Sequence, residues 1–139
     1  MIANTQIRLA GGETAYLTDL HLQRKGYRIL SYNLTDKNIQ HAFTYGVMKP
    51  ERHPVLIITL NTYEQVICTS EQAFYYINGD LIQAKDLTVG TRLLSAYTSP
   101  AMTIRSIEEK QDEMDVYGLP VFLGENFILC SGGIVTKSA

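Results

Sequence analysis

The chain has 139 residues, of which 45% are hydrophobic and 19% charged, and its formal charge is −2. That length suits one domain, residues 1–139, with its own core. Lysine and arginine are scattered among aspartate and glutamate, which leaves no basic stripe for nucleic acid, and the longest apolar run, Val55–Ile58, is too short to cross a bilayer.

The opening residues, MIANTQIRLAGG, show no charged leader followed by an apolar stretch, so the expectation is a cytoplasmic protein without a signal peptide. From there, short apolar and β-branched runs predict strands at Thr5–Leu9, Arg28–Tyr32, Val55–Leu60, Gln65–Thr69, Ala73–Ile77, Arg92–Ala96, Met102–Ile107, Val116–Leu119 and Asn126–Cys130. Turn-forming residues separate them: Gly11-Gly12, Asn78-Gly79-Asp80, Ser99-Pro100, Gly124-Glu125 and Gly132-Gly133. Asn78-Gly79 predicts a two-residue type I′ hairpin turn, in which both residues take a positive φ. Leu17–Arg24 and Ile82–Leu87 give one helical turn each at most. The chain therefore reads as all-β. Successive strand residues point to opposite faces, so of Tyr75 and Tyr76 one is expected to pack and the other to be wet.

Two cysteines, Cys68 and Cys130, make no disulfide framework, and no Cys or His pair stands at zinc-ligand spacing. Both cysteines are expected as small buried hydrophobes, with no metal, no cofactor and a monomeric chain. Among the histidines, His21 reads as a surface turn residue. His53, just before Pro54, reads as structural.

An internal repeat runs through the chain. Residues 11–32 and 79–97 share a Gly turn, a short strand, Asp-Leu (Asp19-Leu20 and Asp86-Leu87) and a spacer. Each then closes on Gly-x-Arg-(Ile/Leu)-Leu-Ser, at Gly26–Ser31 and Gly90–Ser95. Each copy is followed by a variable segment and a matching strand, Val66–Ser70 and Phe127–Ser131. The scheme is that of a duplicated β-unit, about 11–70 and 79–131; generic hairpins with similar turn chemistry remain the alternative.

Several words resemble those of inteins and hedgehog autoprocessing domains, the Hint family. Gln65–Phe74 is similar to the block in which a strand runs into Thr-x-x-His, here Thr69 to Gln72. It is followed by the spacing Ala84, Leu87, Gly90, Leu93, then by Val116-Tyr117-Gly118-Leu119-Pro120-Val121 in the manner of "VYDLTV". Glu125-Asn126-Phe127 stands for "HNF", and Gly133–Ser138 for the closing "GIVVHN". The resemblance covers Thr5 to Ser138 and leaves no room for a homing endonuclease. It implies a pseudo-twofold-symmetric horseshoe of β-hairpins, with flanking extein or host-protein segments as the partners of any precursor.

The resemblance also implies a chemistry. A Cys or Ser at the first position attacks the preceding carbonyl, the Thr and His of the block orient it and protonate the leaving nitrogen, and a terminal Asn cyclises. Residue by residue, this chain departs. Met1 stands at the nucleophile position without a nucleophile, Gln72 at the histidine of the block, and Gly118 at the usual aspartate. Glu125 stands at the neighbouring histidine, Lys137 at the penultimate histidine and Ser138 at the terminal asparagine. Thr69 is retained, as a catalytic relic or as an ordinary β-branched strand-end residue. Ser138 has no carboxamide with which to form a succinimide.

Three explanations fit these departures: a natural Hint domain that has lost self-processing, a chain whose junction residues were replaced to trap a precursor, or a processor that uses other residues. The last would employ Cys130 or Thr5 as nucleophile and Lys137 as base. Activity is expected to be absent or limited to single-turnover N-terminal cleavage. The rival reading is a free-standing β-rich binding module. Splicing geometry predicts that the two ends meet beside Thr69 and Gln72, and the rival predicts no such meeting.

Overall fold

The computed structural model describes residues 1–20, 26–97 and 101–139; His21 and the Ser99-Pro100 turn lie outside them. The described residues are all-β. The strands are β1 (Gln6–Arg8), β2 (Thr14–Tyr16), β3 (Tyr27–Asn33), β4 (Asn38–Thr44), β5 (Glu51–Leu60) and β6 (Gln65–Cys68). They continue with β7 (Ala73–Tyr75), β8 (Leu81–Gln83), β9 (Arg92–Leu93), β10 (Met102–Val116), β11 (Asn126–Ile128) and β12 (Val135–Lys137). Each of these strands pairs antiparallel with its neighbours. They form two ribbons, β1-β2 and β3-β4, and two four-stranded sheets in the orders β6-β5-β10-β9 and β11-β12-β7-β8.

The hairpins β1-β2 and β7-β8 have the same build. In the first, Leu9 N donates to Glu13 O at 2.9 Å and Gly12 N to Leu9 O at 3.1 Å; in the second, Tyr76 N donates to Asp80 O at 2.8 Å and Gly79 N to Tyr76 O at 2.9 Å. Gly12 and Gly79 stand at φ +92° and +91°. Asn78 is not at positive φ, so the expected type I′ turn is replaced by a three-residue loop that closes on a left-handed glycine. The side chain of Asn78 instead accepts from Asp80 N at 3.0 Å, the local bond that suits Asn to this position. After each hairpin comes a single 3-10 turn, Leu17–Asp19 and Ala84–Asp86. Bridges Leu9↔Ile29 and Tyr76↔Leu93 then tie each hairpin to the strand that follows.

One core joins the two hairpin units. It takes Ile7, Leu17, Leu20 and Ile29 from the first, Phe74, Ile82, Leu87 and Leu93 from the second, and Ile58, Leu60, Ile104, Leu119 and Leu129 from between and beyond them. Each such side chain contributes about 2 kcal/mol relative to leaving it in water. Tyr75 is buried and Tyr76 exposed, as strand alternation requires.

The fold departs from expectation most at β10. Its charged half, Glu108–Asp115, is exposed yet stays in strand because β5 supplies its ladder partners as far as Glu51↔Val116. A register shift between Lys110 and Glu113, opposite Val55 and Pro54, marks a bulge. Proline has no N–H to give a ladder, so a bulge is a natural place for it. Val116 also bridges Ile2, which brings the beginning of the chain to the end of this arm. Among the described residues, no helix is long and apolar enough to cross a membrane.

Candidate active site

Three successive residues after β10 gather distant parts of the chain. Tyr117 N donates to Met1 O at 2.7 Å, and the Met1 ammonium donates to Tyr117 O at 3.2 Å. Gly118 O accepts from Met48 N at 2.9 Å, and Leu119 O accepts from Ala139 N at 3.1 Å. Both ends of the sequence are thus clamped to residues 117–119. A Cβ added to Gly118 would stand 3.0 Å from the Ala139 Cβ and 3.3 Å from the Met48 sulfur, tighter than an ordinary contact. The position of the expected aspartate is therefore occupied by a close approach of backbone to the last residue.

Met1, Thr69, Gln72 and Gly118 line one cleft of about 230 Å³ together with Glu51 and His53. Gln72 begins at a tight turn, where its N–H donates to Thr69 O at 3.2 Å. Its side-chain Nε2 then donates to Ala73 O and to Lys137 O, both at 3.1 Å. The residue at the expected histidine position thus latches the last strand to the cleft. Ser138 N and Lys137 Nζ both donate to Glu125 O, at 3.0 and 3.4 Å, so what Glu125 brings to this end is its main-chain carbonyl.

No family profile matches the sequence, and no curated protein does. Solved structures match over the whole length. A DnaB intein from Synechocystis sp. PCC 6803 superposes with a TM-score of 0.87 at 21% identity, over 100% of this chain and 97% of that one. An intein-like domain from Clostridium thermocellum gives 0.83 at 16% identity over 99% and 96%, and the gp41-1 intein gives 0.77 at 21% over 99% and 96%. The chain has the Hint fold of inteins, without an inserted endonuclease. At these identities the likeness is one of fold.

Two buried ionisable groups of this Hint fold, the Met1 ammonium and the Cys68 thiol, influence one another. The Met1 side chain is 3% exposed and belongs to the core. Burial lowers the pKa of its ammonium below the ordinary 8.0, against a smaller opposite pull from Cys68. Cys68 itself is fully buried, and desolvation pushes its thiol up to about 12 while the nearby ammonium pulls it down. Near neutral pH it is a protonated, inert thiol.

The alternative nucleophiles lie elsewhere. Cys130 does not line the cleft; its N–H donates to Gln6 O at 3.0 Å. It is half-buried rather than buried as expected, and desolvation raises its pKa, with Arg8 lowering it and Glu64 raising it further. Thr5 lines a separate hollow with Gln6 and Gln65. Lys137 is turned to the Glu125 carbonyl. Conversely, His53, read as structural in the sequence, lines the cleft, and its Nε2 stands 3.1 Å from Glu51 Oε2. A strand that opens Glu-x-His places the two side chains on one face, and that spacing is the signal that could have drawn attention to it.

Proposed function

We propose that this chain is a processing domain of the intein type that keeps the geometry of peptide-bond rearrangement and lacks the side chains of splicing. One observation carries the reading: both chain ends are clamped at residues 117–119, beside Thr69 and Gln72, and the Gln72 amide donates to Lys137 O at 3.1 Å. A free-standing binding module has no need to bring its ends into one cleft, whereas joining two flanking segments requires it. The acyl shift at the first junction needs a thiol or hydroxyl with a proton to lose; Met1 offers a thioether. The closing step needs a carboxamide at position 138, and Ser138 has none. The chain therefore acts as an inert spacer or interaction domain within a precursor, its flanks being the host-protein segments.

The test is to fuse short peptides to both ends and follow intact mass for a day, with and without dithiothreitol. Unchanged mass in both conditions is the expected result. Thiol-accelerated release of the leading peptide would mean that an acyl shift survives, and the proposed loss of processing would be wrong.

A further inference from the structure

Any acyl shift at the first residue needs a group that takes a proton from the nucleophile and returns one to the leaving nitrogen. Gln72 cannot do this, because a carboxamide does not exchange protons near neutral pH and its Nε2 is already committed to two carbonyls. Among the described residues one imidazole does face the cleft. His53 lines it with Met1 and Thr69, while His41 lines a separate hollow with Glu13 and Arg28.

The way β5 is built accounts for that position. Glu51 and His53 are two residues apart and so share a face. Their ladder partners are Val116 and Met114, and Val116 in turn bridges Ile2, so this end of β5 runs beside the N-terminal segment. Immediately after His53 the ladder is interrupted by a bulge on β10, where Gln111 and Asp112 have no partner in β5. Glu51 Oε2 stands 3.1 Å from His53 Nε2 in a pair that is open to solvent on its outer side, with 47% of the His53 side chain and 78% of that of Glu51 exposed.

We infer that the Glu51–His53 pair is the acid–base group of the cleft that Gln72 and Met1 also line, able to serve a nucleophile at position 1. The inference rests on the intein-type reading of the cleft. With a cysteine at position 1 the step is balanced. The thiol proton passes to His53, sulfur attacks the carbonyl carbon before residue 1, and the C–N bond breaks with its electron pair on nitrogen. The imidazolium then returns the proton to that nitrogen. The products are a thioester and a free amine, with His53 neutral again. Dithiothreitol releases the leading peptide by thiol exchange.

The experiment is a precursor with a short peptide ahead of residue 1 in the full chain carrying Met1→Cys. Cleavage by dithiothreitol is measured from pH 5.5 to 8.5, roughly the range over which imidazoles titrate. Other charged groups that face His53 in this precursor are Lys49 in the cleft and Glu71, Glu109 and Lys110 in the adjoining hollow, so Glu71→Gln and Glu109→Gln serve as controls for the profile; the amine of residue 1 is an uncharged amide there and is charged only in the unfused chain. The expected result is cleavage that falls about 100-fold with His53→Gln and is recovered by adding Gln72→His.

Cleavage unaffected by His53→Gln would overturn the inference and leave the intein-type reading standing. So would cleavage that appears only once Gln72→His is present. Silence in both Met1→Cys and Met1→Cys/Gln72→His would overturn the reading itself. Because Met1 packs in the core, a second measurement uses the unaltered chain. The amide signals of Thr69 and Gln72 are followed by NMR from pH 5.5 to 8.5, roughly the range over which imidazoles titrate. pH-dependent shifts that vanish in His53→Gln support the inference, and their absence overturns it.

Discussion

Two carboxamides tie remote parts of this chain together, and they do it differently. Asn126 is fully buried. Its Oδ1 accepts from Ser31 Oγ at 2.8 Å and Tyr32 N at 2.7 Å, and its Nδ2 donates to Tyr32 O at 3.0 Å, so it pins β11 to β3 with both ends of its amide. Gln72 is half-buried at the rim of the cleft and uses only its donor, toward Ala73 O and Lys137 O. The first is a satisfied polar group in the interior, where leaving partners unpaired is costly. The second is a latch that water can replace. The hold of Gln72 on the last strand is thus open to water, whereas the hold of Asn126 on β3 is sealed from it.

The largest test of this contrast is Asn126→Ala. It strands the Ser31 hydroxyl and the main-chain groups of Tyr32 in the interior, and about 3 kcal/mol of stability should be lost, read as a fall in the urea midpoint. Asn126→Asp sharpens the test. It keeps both acceptor contacts and sets a carboxylate against Tyr32 O, so its penalty should be present at neutral pH and shrink as acid protonates it. A loss below about 1 kcal/mol for Asn126→Ala would remove the distinction between the two amides.

The next effect is alkaline, because each region holds a buried acid whose pKa is raised. Burial pushes Cys68, beneath Met1, from 9.0 to about 12, and Tyr75, in the strand before the hairpin tip, from 10.0 to about 12. Both are raised on folding, so the stability they contribute is complete below the unfolded values and is lost as pH climbs toward 12. Between pH 9 and 10 only the cysteine acts, giving a slope approaching about 1.4 kcal/mol per pH unit. Thermal melts of the wild-type chain should therefore fall from pH 9 upward, and Cys68→Ala should flatten the first part of the decline. The Met1 amine works in the opposite direction. Its folded pKa is lowered, so folding expels a proton and stability rises with pH up to about 8.

How much of this was legible in the sequence depends on range. The hairpin at Asn78-Gly79 and the one at Gly11-Gly12 announce themselves because glycine fixes their turns locally. Even so, the loop length was misread, since the choice between two and three residues is set by strand pairing and not by the turn residues. The meeting of Met1, Thr69, Gln72 and Gly118 was foreseen only through the family resemblance; no periodicity announces it. Glu108–Asp115 carries too much charge to look like a strand, and it is one because β5 pairs with it. β4, reading Asn-Ile-Gln-His-Ala-Phe-Thr, was passed over because its outer half is polar and exposed. His53 was missed because its place in the cleft follows from the register of β5 on β10, and the adjacent proline hid the Glu-x-His alternation.

Gln72→Ala probes the latch directly. The lost contacts are partly solvated, so stability should change by less than about 1 kcal/mol, while amide exchange over residues 135–139 should quicken as the last strand loosens. Equal protection in the variant would mean that β12 is held by its ladder to β11 and β7 alone.

The smallest effect should come from Gly118→Ala. Its new methyl meets the Ala139 Cβ at 3.0 Å and the Met48 sulfur at 3.3 Å, and both neighbours are exposed and free to yield by a few tenths of an ångström. A cost below about 1 kcal/mol is therefore expected, with the change confined to chemical shifts at Met48 and Ala139. Should it destabilise as strongly as Asn126→Ala, residues 117–119 would be a rigid part of the core. The chain ends would then be fixed as firmly as β11 is on β3, and the contrast between frame and latch would fail at its centre.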